Sequence, residues 1–140
     1  MASAELDNLV RAQSLKREAG DQKEFDGLVE SGERRLADAK KGLSPESQFD
    51  LGYNAAHSLS LAALRWHGFR PDKRYVVFQT LQHTIGLGPE IWRVLDKAHG
   101  LRNLAEYEGR FDADKQLIAD LLKTADTVLT AVKKLGPVPK

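Results

Sequence analysis

The sequence predicts an all-α protein, an up-and-down antiparallel bundle of four to five helices. Three observations carry this. Apolar residues recur at helical spacing along most of the chain. Helix start and stop signals punctuate it at short intervals. The one β-like tetrapeptide, Tyr75-Val76-Val77-Phe78, has no second strand to pair with by composition. At 140 residues the chain reads as one domain, 1–140, large enough to bury a core without a metal or disulfide.

The elements follow in order. Glu5 to Ala19 is helical in pattern but weakly amphipathic, and Gly20 ends it. Asp21-Gln22-Lys23-Glu24 has the form of a capping box, with Asp21 at N-cap and Glu24 at N3. The helix it opens carries Phe25, Leu28, Val29 and Leu36 and stops at Gly42. Ser44-Pro45-Glu46 is a second start: a capping hydroxyl, a proline at N1 and an acid in the positive first turn. The long segment that follows places Phe49, Tyr53, Ala56, Leu59 and Ala63 at helical spacing, and Gly68 closes it. Arg70-Pro71-Asp72 starts the next element. Arg74 to Leu87 is assigned to one helix because Phe78, Leu81 and Ile85 keep the 3.6 period. Pro89 opens another helix, and Asp112 or Asp114 caps the last one. There Leu117, Ile118, Leu121, Leu122, Ala125, Val128, Leu129, Val132 and Leu135 form a stripe.

Composition narrows the function classes. A formal net charge of +1 removes strong whole-molecule steering toward nucleic acid, although a local basic patch survives such an average. Cysteine is absent, so there is no disulfide framework, thiolate zinc site or cysteine nucleophile. The opening MASAELDNLV lacks the features of a signal peptide, and no apolar run reaches the roughly 18 residues that span a bilayer. The expectation is a cytoplasmic protein without membrane contact. No two histidines stand at i,i+4 and no Glu-x-x-His occurs, which argues against di-iron and zinc-protease sites. Neither a metal nor another cofactor is expected.

The residues that carry chemistry lie in HGLRNLAEYEG, 99–109. On a helix, Arg102 falls in line with Ile91, Leu95, Ala98 and Ala105, an always-charged fork on the apolar stripe. Either its stem is buried and its head reaches water or Glu106, or it meets an anion in a cleft. His99, Asn103 and Glu106 project on the adjoining flank, with Tyr107 one turn beyond Asn103. That flank can wall a pocket, and it can equally form a hydrogen-bonded seam between helices. His57 and His83 lie in apolar surroundings and read as satisfied core histidines. Arg65, Arg70 and Arg74, with Lys73, gather near the exit of the long helix and extend a phosphate-binding surface if they face Arg102.

Three segments resemble the HEPN family of small all-helical, nucleotide- and RNA-associated domains: GYNAAHSLSLAALRWHGFRP, RYVVFQTLQHTIGL and RNLAEYEG. The likeness covers about 45–135, with the helices of 1–43 outside it. It implies a bundle that dimerises so that an Arg-x(4-6)-His motif from each subunit lines one cleft for metal-independent RNA cleavage. Arg102 and Asn103 match that motif, but Tyr107 stands in the histidine's place and His99 is on the wrong side of the arginine. A phenol with a pKa of about 10 is a poor proton acceptor at neutral pH. The resemblance therefore implies a non-catalytic module that holds a nucleotide or RNA phosphate through Arg102, Asn103, Tyr107, His99 and Glu106. It also implies a homodimer and a nucleotidyltransferase-type partner in a toxin–antitoxin or defence system. The alternatives are a homodimeric structural bundle and a metal-independent endoribonuclease.

Overall fold

The computed structural model describes residues 4–42, 44–109 and 114–139, with the side chains of 106–108 outside that description. Most of the described chain is helical. In order, the elements are α1 (Ala4–Arg11), β1 (Leu15–Arg17), α2 (Gln22–Ala39), α3 (Pro45–Trp66), β2 (Phe69–Pro71), α4 (Val76–Gln79), α5 (Leu81–Thr84), α6 (Pro89–Glu108) and α7 (Lys115–Lys133).

The long helices begin where their caps dictate. Asp21 accepts from the Glu24 amide at 2.8 Å, Ser44 from Ser47 at 3.3 Å, and Asp114 from Leu117 at 2.7 Å. Each bond satisfies an amide that has no partner within its helix. Between these starts, the apolar stripes bury as their spacing requires. Phe49, Tyr53, Ala56, Leu59 and Ala63 of α3 meet Ile118, Leu121, Ala125, Val128 and Val132 of α7 in one core, which Leu95 and Ala98 of α6 join.

Cross-helix contacts fix the directions. Arg65 reaches Glu24, Ser58 bonds the Leu28 carbonyl and Gln48 bonds that of Ala39, so α2 runs antiparallel to α3. Lys40 pairs with Asp126 and Lys133 with Glu33, so α7 is antiparallel to α2. Gly52 lies against Leu121 and Leu122, while Trp66 donates to the Gly136 and Pro137 carbonyls, so α7 runs parallel to α3. α3 is the central helix, packed most extensively on α2 and then on α7, and α2 and α7 also touch each other.

The structure departs from the sequence expectation in three places. The first helix stops at Arg11, not near Ala19: Gln13 takes φ 65°, and Leu15–Arg17 becomes an antiparallel strand against Phe69–Pro71. The register pairs Leu15 with Pro71, Lys16 with Arg70 and Arg17 with Phe69. Leu15 is driven inward onto Leu6, Leu64, Phe69 and Val76, a second small core that outweighs the helix propensity of the Leu-Lys-Arg-Glu run. Arg70-Pro71 accordingly lies in a strand and does not start a helix. Finally, 74–87 is two short helices broken at Thr80, whose buried hydroxyl bonds back to the Val77 carbonyl. Seven helices and one two-stranded ribbon result among the described residues, where four or five helices and no sheet were expected.

Candidate functional site

The fully buried ring of Tyr53, midway along α3, organises the candidate site. It is fixed by Phe49 one turn before it and by Phe78 of α4, whose ring stands edge-on at 5.7 Å. Two guanidinium groups reach this ring from different segments. The Arg102 carbon of α6 lies 5.2 Å from the ring centroid, and the Arg74 carbon, from the segment joining β2 to α4, lies 5.8 Å from it. Both distances fall in the range of cation–π attraction. Arg74 is exposed and donates to Asn54 Oδ1 at 2.8 Å. That acceptor is neutral, and among the described residues Arg74 forms no ion pair.

The polar end of Tyr53 meets α6. Its hydroxyl lies 2.9 Å from His99 Nδ1, and Asn103 Nδ2 lies 3.4 Å from His99 Nε2, so the three side chains form a chain of polar contacts. Tyr75 packs on the same imidazole, ring centroids 5.0 Å apart. Burial first, then the Arg102 charge, hold His99 below the ordinary histidine range, with Asp96 opposing and Arg74 adding to the depression. The Tyr75 phenol is pushed up by burial and by its hydrogen bond to Asp96. One turn beyond Tyr53 on α3, His57 is pushed down to about 4, chiefly by burial and then by the charges of Arg74, Arg102 and His99. Its Nε2 is buried and makes no hydrogen bond among the described residues. The satisfied core histidine expected there is therefore unsatisfied at one nitrogen.

Of the residues expected at the site, Arg102, His99 and Asn103 come together around Tyr53, joined by Arg74. The side chains of Glu106 and Tyr107 lie outside the described residues. Arg65 and Arg70 are elsewhere. Twelve residues of helix, about 18 Å, separate Arg65 from Tyr53. The Arg65 guanidinium is 2% exposed and donates to Glu24 Oε1 and to the carbonyls of Glu18, Ala19 and Phe69. Arg70 binds Glu18 at 2.6 Å and Glu24 at 2.9 Å. Hydrogen bonding to Arg70 holds the Glu18 carboxyl below its usual range, and Glu24 is lowered despite its burial. This network clamps the chain ahead of α2 to the end of α3.

Sequence reading missed Tyr53 as more than a core residue and His57 as part of a polar cluster. Their i,i+4 spacing was visible, but only the tertiary fold brings Arg74 and α6 to that face. Among the described residues no group of three or more metal-ligating side chains occurs, and no helix is long and apolar enough to cross a membrane. No protein-family model matches the chain, and no curated protein matches it significantly.

Proposed function

We propose that this chain is a HEPN-like helical module that holds the phosphate of a nucleotide or RNA without cleaving it. Arg102 and Arg74 supply the charge, and Asn103 and His99 supply hydrogen bonds. The observation that carries the reading is the convergence of two guanidinium groups, from separate segments, on one buried tyrosine. Guanidinium forks match phosphate oxygens in pairs, and an imidazole kept neutral beside them can donate through one nitrogen. The resemblance of 45–135 to the HEPN helix order supports the same ligand class. By that resemblance the module dimerises and works beside a nucleotidyltransferase-type protein in a toxin–antitoxin or defence setting.

The test is a melting experiment on Arg102→Ala. AMP or a short RNA at millimolar concentration raises the wild-type melting temperature by mass action, and the variant loses that rise. Its unliganded stability falls by about 1 kcal/mol, the scale of one cation–π contact. The competing reading is a homodimeric bundle in which Arg102 is a brace, and its 5.2 Å seat over Tyr53 favours that. A loss of several kcal/mol in the unliganded variant, with no shift from any nucleotide or RNA, would decide for the brace. A ribonuclease would instead reveal itself by RNA cleavage in EDTA that Arg102→Ala abolishes.

A further inference from the structure

We propose that the cleft between α4, α5 and the first turns of α6 is a stacking site for a nucleobase, with the Trp92 indole as its platform. It deepens the phosphate reading above, on which the placement of the ligand rests: a short single strand laid along α6. The cleft encloses about 350 Å³ and is lined by Gln79, Gln82, Pro89, Trp92 and Arg93. Trp92 is half-buried and packs against the main core, which holds the ring in place while part of it stays open. An indole fixed in this way offers a base a flat surface at little cost in side-chain entropy. Among the described residues the indole hydrogen bonds are those of Trp66, so the Trp92 N–H is not committed to the fold.

The rim of the cleft suits the edge of a base. Gln79, Gln82 and Arg93 are exposed. Arg93 forms no ion pair among the described residues. Two carboxamides and a guanidinium offer both donors and acceptors, which a base uses and a plain hydrocarbon ring does not. The cleft also adjoins the Tyr53 face. The Gln79 side chain hydrogen-bonds the Tyr75 phenol, and Tyr75 packs on His99 with ring centroids 5.0 Å apart. On α6 itself, Trp92, His99 and Asn103 share one face. From Trp92 to Asn103 the helix rises about 16 Å, more than separates a base from the phosphate of its own nucleotide. A base on Trp92 and a phosphate beside Asn103 therefore belong to different units of one strand.

The experiment follows Trp92 fluorescence in the full chain carrying Trp66→Phe, which leaves Trp92 as the one indole. The probes are adenosine, a hexaadenylate and an abasic hexamer of the same ribose-phosphate backbone. The hexaadenylate is expected to quench the indole and to bind about tenfold more tightly than the abasic hexamer, the scale of one stacked base. In calorimetry without the Trp66 change, Trp92→Leu removes that margin and Trp92→Phe, which keeps a ring, retains most of it. Should Trp92→Leu melt early, the quenching and the Trp92→Phe titration decide. Quenching by adenosine with no binding of the abasic hexamer keeps the base site and removes the phosphate reading. Equal binding of the two hexamers without quenching sinks the base site and leaves the phosphate reading in place. Binding of neither hexamer, with no quenching by adenosine, removes both.

Discussion

Tyr53 and His57 occupy successive turns of one helix face, yet the fold treats them differently. The tyrosine places its hydroxyl on His99, whereas the His57 Nε2 is enclosed without a hydrogen-bond partner among the described residues. An imidazole in that position is tolerated only while neutral, since charging it would set a cation in a poorly solvated site close to Arg74 and Arg102. The folded value of about 4 lies below the ordinary 6.5, so the unfolded chain binds the extra proton first as pH falls. Stability is then complete above 6.5 and declines between 6.5 and about 4, with His57 responsible for a loss on the order of 3 kcal/mol. His99 and His67 are also depressed, and they act in the same direction. His57→Asn should therefore flatten, without abolishing, the fall in melting temperature between pH 7 and pH 4.5. An unchanged pH slope in the variant would show that His57 is not the group being charged.

Helix packing turns on how closely two backbones approach, and the glycines of α2 separate propensity from packing. Gly27 faces open space, so a methyl group there meets nothing within 4 Å. At Gly32 the same methyl would lie 2.6 Å from Leu59 Cγ, the branch point of a fully buried side chain. Gly27→Ala should stabilise by up to about 1 kcal/mol through helix propensity. Gly32→Ala should destabilise by about 1–3 kcal/mol, because overpacking outweighs the same propensity gain. Opposite shifts in the denaturation midpoint check the pair, and two stabilising substitutions would refute the close α2–α3 seam. The same contrast explains what the sequence disclosed. Caps at Asp21 and Ser44, and the stripes of α3 and α7, are written in local residue order and were readable from it, while the last cap was narrowed to Asp112 or Asp114 and the fold uses Asp114. The strand Leu15–Arg17 was not, because its partner lies more than fifty residues away and its own residues favour helix. Nor was the use of Arg65 and Arg70, whose acids Glu18 and Glu24 sit across the same long-range junction.

At the level of the whole molecule, stability is divided between two apolar clusters of unequal size. The larger joins α2, α3, α6 and α7, while the smaller holds Leu6, Leu15, Leu64, Phe69 and Val76 beneath α1 and the β1–β2 ribbon. α3 belongs to both, since Leu64 lies in the smaller cluster and Ala63 in the larger. The Arg65 network is the polar seal between them. A short ribbon over a small core, joined to the rest through the end of α3, through α4 and through the Arg65 and Arg70 pairs with Glu24, should still open at lower free energy than the bundle. Leu6 is fully buried there, and its truncation to alanine removes about 2–5 kcal/mol of packing from that cluster. Leu6→Ala should therefore speed amide exchange and proteolytic cleavage within residues 4–20 while α3 and α7 keep most of their protection. Arg65→Met is expected to do the same by a different route: it frees the Glu18, Ala19 and Phe69 carbonyls and leaves Glu24 without its buried partner. In both variants the Tyr53 face lies beyond the opened segment, so the cation–π and hydrogen-bond contacts around Tyr53 are expected to survive. If exchange instead accelerates equally along all four long helices, the two clusters unfold as one and the ribbon is integral to the bundle.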